Sequence, residues 1–67
     1  MSECPLTEQQ LEIVRWLSHG KTYSETAEFT GISMKATQRR VERAWISTGT
    51  KNKTGLVSMA LRKGWID

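Results

Sequence analysis

The sequence predicts an all-α domain of four short helices, because three local signals agree along its 67 residues. Each predicted helix begins beside a Thr, Ser or Asn whose side chain can cap the free amides of a first helical turn. Each is followed by a glycine, the residue that most easily ends a helix. No stretch shows the strict alternation of apolar and polar residues that indicates a half-buried strand. These signals place the helices at about 7–19, 23–30, 33–48 and 53–63.

The first helix is predicted from a capping box and an apolar face. Thr7 can cap the helix, and Gln10 follows three residues later, as a capping box requires. Gly20 provides the C-terminal stop. We expect the buried face to consist of Leu11, Val14 and Leu17, with Ile13 and Trp16 beside it.

The second helix is short and leads into a tight turn. Thr22 and Glu25 form another capping box, and Ala27 is the small residue expected to point inward. Gly31 can adopt a positive φ and turn the chain at once into the next helix. Two helices joined in this way form a helix-turn-helix unit, in which the second helix of the pair lies in the major groove of DNA.

The third helix, capped by Ser33, separates small residues from polar ones. At about 100° per residue, one narrow side carries Thr37, Val41, Ala44 and Thr48, which would let another helix approach closely. The opposite side carries Lys35, Gln38, Arg39 and Glu42, together with Ile46. Lys and Arg bind phosphates and guanine edges, Gln can pair with adenine, and Glu can accept from cytosine. A solvated charged face is the alternative interpretation of this stripe.

The fourth helix follows a basic linker and is capped by Asn52. Its core face is expected to contain Leu56, Val57 and Ala60, with Leu61 at the edge. After Gly64, the apolar pair Trp65-Ile66 can fold back against the core.

Charge is distributed unevenly along the chain, which has a formal net charge of +3. Residues 1–30 hold five acids and two bases, whereas residues 31–67 hold eight bases and two acids. The basic surface therefore belongs to the third helix and the segment that follows it. A mild basic excess is compatible with nucleic acid as a partner.

Several functions are disfavoured by the composition. The single cysteine, Cys4, excludes an internal disulfide, and Cys4 with His19 supplies too few ligands for a metal site. No apolar run is long enough to span a membrane or to serve as a signal peptide. Polar residues that might suggest an enzyme are better explained as residues at helix ends, namely His19, Tyr23, Ser24 and Glu25. We therefore expect no catalytic residues, no cofactor, no metal and no small-molecule ligand.

The order and spacing of these residues resemble the LuxR/GerE-type helix-turn-helix domain of bacterial transcription regulators. The matching positions span nearly the whole chain: Leu6-Thr7-Glu8, Leu11, Val14, Leu17, Gly20, Glu25, Ala27, Ile32-Ser33, Lys35, Val41, Gly49, Asn52 and Thr54. The stretch Gly20-Lys21-Thr22 and the C-terminal tail are most similar to the quorum-sensing branch. The sequence departs from the family pattern with Gln10 in place of Glu, Thr26 in place of Ile, and an acid at Glu42.

The resemblance implies that the third helix reads the major groove and that the fourth contributes to a dimer. Residues at base-contact positions are Gln38, Arg39 and Glu42. Residues at backbone-contact positions are Ser33, Lys35, Ala36, Arg40 and Lys53, of which Lys53 replaces the usual Arg.

The function predicted from the sequence is a transcriptional regulator that binds double-stranded DNA, as a homodimer on a two-fold site. The alternative is a small interaction module that pairs with a larger LuxR-type regulator and blocks or alters it. In either case the partner face would contain Met59, Leu61 and Trp65. The expected location is the cytoplasm, at the nucleoid, in a bacterial or phage-encoded setting.

The domain organisation predicted is a single domain over residues 1–67, with a flexible leader at 1–5. Regulators of this family usually carry an N-terminal receiver or ligand-binding domain, which this sequence does not contain. A start at Met1 favours a free-standing regulator, and a fragment of a longer regulator is the alternative.

Overall fold

The computed structural model describes residues 4–67, and it confirms the predicted all-α fold. Within these residues there are four helices and no strands. The predicted ranges differ from the observed ones only by including capping residues at the ends. Residues 1–3 of the predicted leader lie outside the described part of the chain. The helices are α1 (Glu8–Ser18), α2 (Tyr23–Thr30), α3 (Met34–Thr48) and α4 (Lys53–Arg62).

Both predicted capping boxes are present. In α1, the Thr7 hydroxyl accepts the Gln10 N–H at 3.1 Å, and the Gln10 Oε1 accepts the Thr7 N–H at 2.8 Å. In α2, Thr22 and Glu25 exchange the equivalent two bonds, each 3.0 Å long. These bonds satisfy amides that have no partner within the helix, which is why both helices begin where they do.

The turn between α2 and α3 depends on Gly31. Its φ is +75°, in the left-handed region that residues with a side chain rarely adopt. The amides of Gly31 and Ile32 both donate to the Ala27 carbonyl, at 2.9 and 3.2 Å. Ser33 then caps α3 by accepting the Ala36 N–H at 3.0 Å. This short connection fixes the direction of α3 relative to α2.

The core lies between α1, α3 and α4, and α3 packs against all three other helices. Ala44 on α3 and Ala60 on α4 are both buried in this core. Because three helices surround the inner side of α3, its opposite side remains free for another molecule. The buried core residues are Leu6, Ile13, Val14, Leu17, Val41, Ala44, Leu56, Ala60 and Ile66.

The predicted core is confirmed at the C-terminal tail and is partly wrong on α1. The C-terminal tail folds back as predicted, with Ile66 buried and Trp65 packed against the core. On α1, however, Ile13 is only 1% exposed, whereas Leu11 is half-buried. Val14 and Leu17 are buried as predicted, but the prediction that Leu11 belongs to the buried face and that Ile13 lies only beside it was wrong. Cys4, at the end of the predicted leader, packs partly buried against the core.

Two threonines are fully buried, each with 0% exposure. The Thr37 hydroxyl donates to the Ser33 carbonyl at 3.0 Å. The Thr26 hydroxyl has no hydrogen-bond partner among the described residues. A buried hydroxyl without a partner lowers stability, because it has lost its bonds to water without replacement.

Candidate nucleic-acid interface

The outward side of α3 is organised as two parallel rows of polar side chains. Since Thr37, Val41 and Ala44 are buried, the residues on the opposite side of the helix face solvent. Side chains four positions apart lie next to each other along a helix. One row is cationic and consists of Lys35, Arg39 and Arg43, all exposed. The other contains Gln38 and Glu42, also exposed.

Arg43 and Ile46 extend this face beyond the residues predicted for DNA contact. Arg43 continues the row of Lys35 and Arg39, and the four-residue spacing is the sequence signal that would have identified it. Ile46 is 72% exposed, which is unusual for a large apolar side chain. It lies next to Glu42 and gives the face an apolar element toward the C-terminal end of α3.

Arg40 is held at the junction of α1 and α3. Its Nε donates to Oε1 of Gln9, and its guanidinium also donates to the Ala36 carbonyl at 3.3 Å. Gln10 reinforces the junction, since its Nε2 donates to the Arg40 carbonyl at 3.4 Å. Arg40 is therefore half-buried and oriented, at the edge of the exposed face of α3. No sequence pattern points to Gln9 as the partner of Arg40, because the two residues are 31 positions apart.

Ser33 and Ala36 differ in what they can offer a phosphate. The Ala36 amide already donates to the Ser33 hydroxyl, and the Ala36 side chain is only a methyl group. Ala36 can therefore make only van der Waals contact with a phosphate. The Ser33 hydroxyl accepts one bond and still has its own proton to donate.

Tyr23 links the exposed face of α3 to the start of α4. It lines a shallow concavity of about 180 Å³ with Gln38, Glu42 and Trp45. The Nζ of Lys53 lies over its ring, 4.9 Å from the ring centroid. Burial raises the pKa of the Tyr23 hydroxyl, and the nearby Glu42 carboxylate raises it further. The phenol is thus protonated, and its ring uncharged, at neutral pH.

The predicted partner face on α4 is only partly assembled. Leu61 is 49% exposed and borders a concavity of about 340 Å³ that Leu17 and Val57 also line. Met59 lies two positions before Leu61, about 200° around the helix, so the structure does not bring these two side chains onto one face. Trp65 is half-buried against the core.

A second exposed apolar feature, which the sequence reasoning missed, lies where α1 meets α2. The rings of Trp16 and Phe29 are stacked, with centroids 4.5 Å apart. Phe29 is 52% exposed, and Lys21 approaches its ring at 5.9 Å. Phe29 follows the inward-facing Ala27 by two residues, so its outward position agrees with helical geometry.

Across residues 4–67, the acidic, cysteine and histidine side chains form no group of three or more that would hold a metal ion. None of the helices in this range has the length and apolar character needed to cross a membrane.

The four helices, the tight turn at Gly31 and the exposed face of α3 are compatible with a small four-helix helix-turn-helix domain. No protein-family model matches the chain. The chain is, however, 34% identical over 62 residues to the HTH-type quorum sensing-dependent transcriptional regulator VjbR of Brucella abortus, Brucella melitensis and Brucella suis. The aligned segment covers 92% of this chain and 24% of each relative, so the chain spans about a quarter of their length. The name of these relatives describes them as HTH-type transcriptional regulators.

Proposed function

We propose that this chain is the DNA-binding domain of a transcriptional regulator, with α3 lying in the major groove of double-stranded DNA. The two rows on α3 are the observation that carries this proposal. A helix whose exposed face combines cations with side chains of directional hydrogen-bonding capacity suits both the phosphates and the base edges of a groove. The name of the VjbR relatives, HTH-type transcriptional regulator, agrees with this function.

The residues divide into two roles under this proposal. Gln38, Arg39 and Glu42, which are exposed and can make directional hydrogen bonds, contact base edges. Contacts to the DNA backbone come from the residues around them: Ser33, Lys35, Ala36, Arg40 and Lys53. The hydrogen bond that Arg40 donates to Gln9 holds its guanidinium in one orientation, from which it can contact a phosphate.

The experiment is selection of binding sites from random duplex DNA, followed by anisotropy titrations at several salt concentrations. Gln38→Ala should change which base is preferred at one position, by about 1–3 kcal/mol. Arg40→Ala should weaken binding to all sequences alike. It should also lower the slope of log affinity against log salt by about 0.9, the loss of one phosphate contact.

Arg15→Ala is the matched control, because Arg15 is an exposed cation on the outer side of α1. It should leave both affinity and site preference unchanged. If Arg15→Ala weakens binding as much as Arg40→Ala, or if Gln38→Ala keeps the same site preference, α3 is not the reading helix.

We further propose that two copies pair through α4 and bind a two-fold site, with Leu61 at the centre of the contact. The half-exposed Leu61 beside Leu17 and Val57 is the observation that favours this surface. Leu61→Glu should abolish dimers in sedimentation equilibrium while leaving the helical content unchanged. A monomeric wild-type chain at the concentrations that bind DNA would contradict the homodimer.

The second candidate is an interaction module in which a larger LuxR-type regulator occupies the same α4 surface. It predicts a heterodimer that Leu61→Glu prevents, together with loss of the regulator's DNA binding when this chain is added. A regulator that acts on the chromosome works in the cytoplasm at the nucleoid, and we place this chain there.

A further inference from the structure

Tyr23 lies between two groups of the proposed interface that belong to different helices. It is the first residue of α2, and Lys53 is the first residue of α4. The Tyr23 ring is half-buried against the core, so its position is fixed by packing. The Lys53 ammonium lies over this ring at 4.9 Å from the centroid.

The chemistry of this contact affects how Lys53 meets a phosphate. A lysine side chain is a flexible four-carbon stem, and confining it on binding has an entropic cost. An aromatic face attracts an ammonium group within about 6 Å of its centroid. The ammonium has three N–H donors, and those directed away from the ring stay available to an acceptor. Held over Tyr23, Lys53 is confined before DNA arrives.

Tyr23 also borders the exposed face of α3. Gln38 and Glu42, two of the proposed base contacts, share a concavity with Tyr23. Tyr23 therefore contacts Lys53 at the start of α4 and also borders the exposed face of α3, while Lys53 itself lines the concavity beside Val57 and Leu61. Burial and the Glu42 carboxylate keep the phenol protonated, so the ring carries no charge of its own.

We propose that Tyr23 is a positioning residue that holds the Lys53 ammonium ready for a DNA phosphate. This inference rests on the proposed function, because it concerns a contact with DNA. The N-terminus of α2 thereby contributes to a DNA interface whose other residues lie on or beside α3 and at Lys53.

The test is a double-mutant cycle measured as DNA affinity over a salt series. Lys53→Met should lower the slope of log affinity against log salt by about 0.9, the loss of one phosphate contact. Tyr23→Leu should weaken binding about two- to five-fold in the wild-type background, the range of a partly exposed cation–π contact. In the Lys53→Met background, Tyr23→Leu should have no effect. Tyr23→Phe keeps the ring and should bind as wild type does.

A purely structural role for Tyr23 would weaken binding equally in both backgrounds, and that result would overturn the proposal. Tighter binding by Tyr23→Leu would also overturn it, because the ring would then be holding Lys53 away from DNA. Phe29→Leu is the control, since it removes another partly exposed ring that faces a lysine and should leave affinity unchanged. If Tyr23→Leu fails to fold, Tyr23→Phe is compared with pentafluorophenylalanine at position 23, which keeps the ring shape and removes the attraction for cations.

The same titrations separate this proposal from the function on which it rests. Wild-type protein that binds no duplex refutes the DNA-binding function, and this proposal falls with it. Wild-type protein that binds DNA while Tyr23→Leu binds equally well refutes the role of Tyr23 alone.

Discussion

Thr26→Val should stabilise the domain, because it removes a buried hydroxyl that has no partner. Thr26 is completely buried on α2, and no donor or acceptor among the described residues reaches its Oγ1. Valine has nearly the same shape as threonine, so the substitution exchanges the hydroxyl for a methyl group without opening a cavity. The two residues also have similar helix propensities, so the helix itself changes little.

The size of the effect follows from the cost of an unsatisfied buried group, about 1–3 kcal/mol. We expect the free energy of unfolding to rise by at least about 1 kcal/mol. In a domain of this size, each 1 kcal/mol corresponds to about 4–8 °C in Tm. Reversible thermal unfolding followed by circular dichroism resolves such a change.

Thr37→Val is the matched control, because Thr37 is equally buried but its hydroxyl donates to the Ser33 carbonyl. Here the substitution removes a hydrogen bond worth about 0.5–1.5 kcal/mol. We expect Thr26→Val to be more stable than Thr37→Val by at least about 1.5–2.5 kcal/mol, the sum of the gain and the loss. The reasoning is refuted if Thr26→Val is no more stable than wild type, or if both variants gain stability equally.

Two further predictions concern α2. The Thr22 backbone N–H, which donates to the Glu25 carboxylate, lowers the pKa of Glu25. The ionised carboxylate therefore stabilises the folded state above the ordinary pKa of glutamate, about 4.3, and this stabilisation is lost as the pH falls through the lowered pKa. Glu25→Gln should therefore be less stable than wild type at pH 7, and thermal melts should show this deficit shrinking as the pH is lowered below about 4.3. A deficit that stays the same at pH 7 and at pH 3 would contradict this. Gly31→Ala should lower stability by about 1–2 kcal/mol, because a side chain is strained at φ +75° even though open space surrounds the position. Urea denaturation followed by tryptophan fluorescence measures this loss, and an unchanged midpoint would show that the turn relaxes.

The helices could be predicted from the sequence because their ends are determined locally. Thr7 and Thr22 each bond to an amide three residues away, so the relevant partners are visible within one turn. Which apolar residues of α1 are buried could not be predicted in the same way. Leu11 and Ile13 are both apolar, and the positions of α3 and α4 decide which of them is covered.

The candidate interface likewise combines residues that helical spacing predicts with contacts that it does not predict. The exposed face of α3 follows from helical spacing alone. The same spacing places Arg43 on this face, although Arg43 is not among the residues predicted to contact DNA. The contacts of Arg40 with Gln9 and of Lys53 with Tyr23 join residues far apart in sequence. No local pattern encodes such pairs, since they depend on how the helices pack.

Gln10 connects the beginning of α1 to the middle of α3 through the two ends of one side-chain amide. Its side chain oxygen closes the capping box with Thr7, while its nitrogen reaches the Arg40 carbonyl. Unravelling of the first turn of α1 would release this contact with α3 as well. Slow hydrogen exchange at the capped amides would consequently report on α3, and a force applied to the chain at Thr7 would be transmitted to the backbone of the helix that carries the interface.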